Sequence, residues 1–173
     1  MLRVLVIDDH AQFAELVRAA MEKEPDFESV GHATNIADGL DLIETLEPDV
    51  VALNVHMGPG DGVAAIAQIT GRHPKVRVVV LAAFANVPMM QRAVTADARA
   101  LHPKDAGLAR LLWLLRNTGH AGFTVHPEVL HRLIAGGPLS PKHEGSTSSP
   151  TTRSQVLVGA RVFGANQQVR WGD

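Results

Sequence analysis

Leu2-Arg3-Val4-Leu5-Val6-Ile7 runs directly into Asp8 and Asp9. A short, β-branched apolar run closed by two carboxylates reads as a parallel strand buried on both faces, with charge collected at its carboxyl end. The period then changes. Phe13, Leu16, Val17, Ala20 and Met21 fall at i, i+3, i+4, i+7 and i+8, which is one face of a helix that Pro25 ends. Strand followed by helix is the unit from which a parallel sheet is built.

The same unit recurs along the chain. Phe27 to Ala33 is a weaker strand, and Ile36, Leu40 and Ile43 carry a second helical stripe, with Thr34 or Asn35 as its cap. Asp49-Val50-Val51-Ala52-Leu53 is a buried strand that meets a turn-rich loop, His56-Met57-Gly58-Pro59-Gly60-Asp61-Gly62, before a helix over 63–71. Val76-Arg77-Val78-Val79-Val80-Leu81 is the strongest strand signal. A helix over 86–96 follows, with Val87, Met90 and Val94 on one side. Arg99 to His102 is a short strand, and Asp105 is placed to cap a helix with Leu108, Leu111, Leu112 and Leu115 on one face. Strict alternation of strands and helices predicts a doubly wound five-stranded parallel sheet with helices on both faces.

Composition narrows the classes of function. The 173 residues are 46% hydrophobic and 20% charged, with a net charge of -2, so nothing drives the chain electrostatically toward nucleic acid or an anionic membrane. There is no Cys, which excludes disulfides and thiolate chemistry, and aromatics make up only 4%. No apolar run nears the roughly 20 residues of a membrane helix, and no signal peptide is read at the start. A cytoplasmic chain is the expectation. No nucleophile–base pair and no phosphate-cradling loop is found, so no enzyme is read.

In such a sheet, sites form at the carboxyl ends of the strands. Asp8 and Asp9 end the first strand, Asn54 the third, Ala82 the fourth, and Lys104 follows the fifth. Paired carboxylates need a cation or a base to neutralise them, and Mg²⁺ and lysine both meet that need. The pair has a second reading, as a cap on the first helix. His10 and His56 near it raise a transition-metal alternative, on weak spacing.

The ordered set Val4-Leu5-Val6-Ile7-Asp8-Asp9-His10, Pro48-Asp49-Val50-Val51, Met57 with Asp61-Gly62, Arg77-Val78-Val79-Val80-Leu81 and Lys104-Asp105-Ala106 resembles the receiver domain of bacterial response regulators, in the NarL/LuxR-type branch. The resemblance covers about residues 1–135. It implies a flavodoxin-like α/β fold of strand order 2-1-3-4-5. It also implies Asp8 and Asp9 as the acidic pair, Asp9 and the His56 backbone as Mg²⁺ ligands, and Lys104 as the partner of a phosphoryl group. Position 54 matches the aspartate phosphorylated by a sensor kinase, and position 82 the hydroxyl residue that senses the phosphate.

Departures fall on those positions. Asn54 offers a carboxamide instead of a nucleophilic carboxylate, Ala82 has no hydroxyl, and Leu101 stands near the family's aromatic switch. The expectation is a degenerate phosphorylation pocket of Asp8, Asp9, Asn54, Ala82 and Lys104, with no required cofactor and weak Mg²⁺ binding at most. Signalling would then run through a homodimer or contacts with other regulator proteins. Alternatives are a receiver that binds a small molecule in the vacated pocket, and a conventional receiver with its acceptor at Asp49 or Asp61. The family's dimer face of fourth helix, fifth strand and fifth helix implies an interface of Met89, Met90, Leu101, Trp113 and Leu114.

Domain organisation is read as a receiver over 1–121, a linker helix over 122–136 and an irregular tail over 137–173. Leu139-Ser140-Pro141-Lys142 resembles the opening of the branch's helix-turn-helix domain, but no basic recognition helix follows, so DNA binding is not expected of this chain.

Overall fold

The computed structural model describes residues 1–57, 62–119 and 122–135, and the backbone of 160–164 and 167–169. Five strands alternate with five helices as the periodicity requires: β1 (Leu2–Ile7), α1 (Ala11–Met21), β2 (Phe27–Ala33), α2 (Ile36–Leu46), β3 (Val50–Asn54), α3 (Gly62–Arg72), β4 (Arg77–Ala82), α4 (Val87–Thr95), β5 (Ala100–Pro103) and α5 (Leu108–Asn117). A 3-10 turn, Lys104–Ala106, joins β5 to α5. The sheet order begins β2-β1-β3-β4-β5 and every pairing among these strands is parallel. This is the flavodoxin-like α/β arrangement.

The period of two along each strand divides the core. Leu5, Ile7, Val51, Leu53, Val78 and Val80 face α2, α3 and α4. Val4, Val6, Val50, Ala52, Val79 and Leu81 face α1 and α5. Local chemistry sets the helix starts. Asn35 caps α2 by accepting from the Asp38 amide at 2.9 Å, and Asn86 caps α4 by accepting from Met89 at 2.8 Å. Asp105, expected to cap α5, lies inside the 3-10 turn, and the residue before α5 is Gly107 at φ 89°. Gly62 opens α3 against β3: a Cβ there would stand 2.5 Å from both Cα and O of Val55, so only glycine lets the helix start this close.

The sheet does not stop at five strands. Phe123–Val125 forms β6, parallel to β5 through the pairs Ala100↔Thr124 and Leu101↔Val125. Pro127–Ile134 forms α6, whose Val129, Leu130 and Leu133 join the core on the α2–α4 face. The expected linker helix over 122–136 is therefore, within the described residues 122–135, a strand followed by a helix. Ala160–Gly164 (β7) pairs parallel to β6, and Gln167–Val169 (β8) antiparallel to β7, so part of the expected irregular tail carries strand backbone. The remainder of 137–173 lies outside the described residues, as does the Gly58-Pro59-Gly60-Asp61 loop.

The connection into β6 is topologically unusual. Helices α4 and α5 carry the chain in the same direction along the sheet, but over opposite faces. The two crossovers therefore have opposite hands, and the α5 crossover reverses the sense that α1 to α4 share. Parallel crossovers are right-handed in about 98% of cases.

Candidate functional site

The carboxyl ends of β1, β3, β4 and β5 meet as the topology requires, and they bring together Asp8, Asp9, Asn54, Ala82 and Lys104. Asp8 is fully buried. Its Oδ1 accepts from the His10 amide at 3.0 Å and from Asn54 Nδ2 at 3.1 Å, and His10 Nδ1 approaches it at 3.2 Å. Its Oδ2 lies 2.6 Å from Lys104 Nζ, an ionic approach outside hydrogen-bond alignment. The Lys104 ammonium also sits 4.9 Å from the centre of the Phe13 ring, so α1 and β1 hold it together.

Asp9 is exposed at the rim. Its Oδ1 accepts from Asn54 Nδ2 at 2.9 Å and contacts His10 Nδ1 at 3.0 Å. Burial alone raises the Asp9 carboxyl, but the His10 charge and the hydrogen bonds from its own backbone, His10 and Asn54 outweigh it, and the net shift is downward.

Asn54 is the hub. Its Nδ2 donates to both carboxylates, and its Oδ1 accepts from the His56 amide at 3.1 Å. That orientation is fixed by chemistry: the carboxylates accept only, and the amide of His56 donates only. An aspartate in the same place would put a third acceptor against two carboxylate oxygens, a clash of like charge that a cation must relieve.

Asp8, Asp9 and His10 offer ligand-capable atoms within 4.8 Å of one another. Mg²⁺ takes oxygen ligands in octahedral geometry. Here the Oδ1 atoms that would face such an ion already receive the Asn54 amide hydrogens, and the other oxygen of Asp8 faces Lys104. The donor set fits Mg²⁺ poorly unless Asn54 turns away. His56 is exposed and joins the site through its amide.

The acid pair does not cap α1. The residue before that helix is His10, which makes no side-chain cap bond. Ala82 is buried at the end of β4, paired with Pro103. Asp49, weighed as another acceptor, lies at the far end of the sheet, where its carboxylate accepts from the Arg3 amide at 2.8 Å. Asp61 lies outside the described residues. Sequence reasoning missed two supports. Phe13 was read only as part of a core stripe, and His32, whose Nε2 lies 2.8 Å from the Asp8 carbonyl oxygen, carried no signal beyond its place in β2.

The expected interface set does not form an exposed patch. Met90, Leu101 and Leu114 are 4%, 1% and 0% exposed, and only Met89 and Trp113 are partly open. Leu114 follows Leu111 by three residues and precedes Thr118 by four, so it lies on the buried ridge of α5. Trp113 packs its ring edge-on to His126 at 4.9 Å.

Residues 4–116 match the profile described as the response regulator receiver domain. This chain belongs to the receiver-domain family. The receiver is 30% identical over 151 residues to the transcriptional regulatory protein LiaR of Bacillus subtilis, covering 87% of this chain and 69% of LiaR. It is 28% identical to the transcriptional regulatory protein DegU of Brevibacillus brevis, where the match covers 77% of this chain and 56% of DegU. The receiver thus spans about half the length of that relative. Among solved structures, the signal receiver domain assigned to the response regulator NarL of Mycobacterium tuberculosis superposes with a TM-score of 0.61 at 28% identity, over 67% of this chain and 97% of the other. Two-component signalling is therefore the context of the fold. Among the described residues no helix is long and apolar enough to cross a membrane.

Proposed function

We propose that this receiver signals without aspartyl phosphorylation, through contacts with a second copy or with other regulator proteins. The observation that carries the reading is the double donation from Asn54 Nδ2 to Asp8 Oδ1 and Asp9 Oδ1 at 3.1 and 2.9 Å. An acyl phosphate forms when an anionic carboxylate oxygen attacks phosphorus. A carboxamide has no such oxygen, and its nitrogen lone pair is delocalised. Asn54 instead works as a neutral bridge that ties β3 to β1.

The bridge takes over the task of a cation. It supplies hydrogens where the carboxylate pair would otherwise repel, and Lys104 neutralises the buried member of the pair. Mg²⁺ then has little to gain, and its binding is weak. Ala82 supports the same reading, since no hydroxyl stands ready to follow a phosphoryl oxygen. The site is held in one state, and what a partner meets is a fixed surface. A sensor kinase is not needed for that state, and no role in DNA contact is assigned to residues 1–135.

The test is intact-mass spectrometry after incubation with Mg²⁺ and a small phosphodonor, with Asn54→Asp beside the native chain. The native chain gains no phosphoryl mass and the variant gains one. Phosphorylation of the native chain would overturn the reading, and mapping the modified residue would name the acceptor.

A further inference from the structure

The segment after α5 is built differently from the rest of the fold. From α5, on one face of the sheet, the chain passes Gly122 at φ 81°, lays down β6 along the outer edge of β5, and places α6 on the opposite face. It wraps the edge of the sheet. Its crossover has the disfavoured hand, and β6 holds β5 through only the two pairs at Ala100 and Leu101, with the Thr124 amide donating to Arg99 O at 2.8 Å.

The remaining ties are of two kinds. Phe123, Thr124 and Val125 of β6 and Val129, Leu130 and Leu133 of α6 are buried. The ties to α5 are surface ones: an ion pair between Arg110 and Glu128, both well exposed, and the edge contact of His126 on Trp113. Between the start of α5 and α6 the packing is open. A cleft of about 580 Å³ runs there, bordered by Asp105, Arg110, Glu128, His131 and Arg132. By contrast, Val50, Val51, Ala52 and Leu53 of β3 are fully buried, and β3 pairs over four positions with β1 and five with β4.

We propose that β6 and α6 form a releasable strap over the outer edge of β5, one that opens as a unit while the β2-β1-β3-β4 body stays folded. Opening removes a strand from one side of β5 and an apolar helix from the α4 side of the sheet, and so uncovers a strand edge that the closed form covers with its own chain. An edge bearing free amides and carbonyls is the surface to which a further strand adds. The inference stands on the fold and not on Asn54, so it survives or fails independently of the phosphorylation reading.

Hydrogen exchange of the full-length chain, followed by mass spectrometry, tests it. Peptides covering 122–134 should exchange together, about 100-fold faster than those covering 50–54, because sub-global units open below the free energy of global unfolding. Glu128→Lys sets a second cation against Arg110, so it should speed exchange of 122–134 several-fold and leave 50–54 unchanged. Equal protection of 122–134 and 50–54, lost only on global unfolding, overturns the strap. So does a Glu128→Lys chain in which both regions accelerate alike.

Discussion

The Asn54 carboxamide nitrogen stands 2.9 Å from Oδ1 of Asp9 and gives it a hydrogen. The same nitrogen gives its other hydrogen to Asp8, at 3.1 Å. One neutral side chain thus satisfies two carboxylates that belong to consecutive residues of a strand end. Lys104 completes the balance from the turn after β5, at 2.6 Å from Oδ2 of Asp8. Asp8 is thus satisfied in the interior while Asp9 stays exposed at the rim.

Replacing Asn54 by Asp turns two hydrogen bonds into two repulsions. In the absence of divalent ions the variant should lose about 2 kcal/mol of stability, the order expected when a buried polar bond is exchanged for an unpaired charge. Mg²⁺ should restore it, because a cation binding only the folded state stabilises by mass action. Thermal melts with and without Mg²⁺ check both halves. The native chain should show a shift near zero, and the variant a clear rise in Tm with Mg²⁺. A large Mg²⁺ shift in the native chain would sink the account of Asn54 as a substitute for the ion.

Lys104→Met should cost more than its packing alone. It leaves the buried Asp8 carboxylate without its lysine, and breaking one member of such a pair costs about 3–5 kcal/mol. Asp8→Asn with Lys104→Met should be milder than the sum of the two single changes, since the second removes the charge that the first strands. Denaturant melts of the four proteins form the cycle. Additive losses would mean that the 2.6 Å approach carries no coupling energy.

How much of this was legible in the sequence follows from periodicity. The strands β1, β3 and β4 are near-continuous apolar runs, and their order and the position of Asn54 at a strand end could be read directly. The identity of Asn54, Ala82 and Lys104 was visible. Their bonding was not, because the same residues allow Lys104 to pair with either aspartate and Asn54 to present either end of its amide. Phe13 looked like core because an aromatic under a lysine has the same spacing as an aromatic under a leucine. Strand β6 escaped because three residues are too short for a period, and because its crossover has the hand a topology argument discards. Leu114 was misplaced on α5 because the apolar stripe was drawn through Leu108, Leu111, Leu112 and Leu115 alone, whereas the buried face is broad enough to take in Leu114.

His102 gives the fold a sensitivity to acid. It is 1% exposed on β5, and burial first, then the charges of His126 and Arg110, push its pKa down to about 4. A folded pKa below the unfolded value of about 6.5 means that the native state favours the neutral ring. The stability this contributes is whole above about pH 6.5 and is lost as pH falls toward 4, up to about 3 kcal/mol. His126, also lowered, first by burial, acts in the same direction. Denaturant melts between pH 7 and pH 4 should show the decline, and His102→Leu should flatten most of it. An unchanged slope in that variant would assign the acid sensitivity to other groups.

Gly62→Ala tests how the site is seated. A methyl group at this position would lie 2.5 Å from the Cα and carbonyl oxygen of Val55, and backbone cannot yield as a side chain can. Gly39→Ala meets Ile7 Cδ1 at the same 2.5 Å, but that atom ends a flexible side chain. Gly62→Ala should therefore destabilise by about 2–3 kcal/mol, and Gly39→Ala by about 1 kcal/mol or less. The consequence for the site differs too. Val55 follows Asn54 directly, so pushing α3 away from β3 moves the amide of His56 off Asn54 Oδ1 and loosens the bridge to Asp8 and Asp9. The NMR signals of the Asn54 side-chain amide should shift in Gly62→Ala and hold in Gly39→Ala. Equal melting losses with an unmoved Asn54 amide would separate the helix start from the site and leave Gly62 a packing residue only.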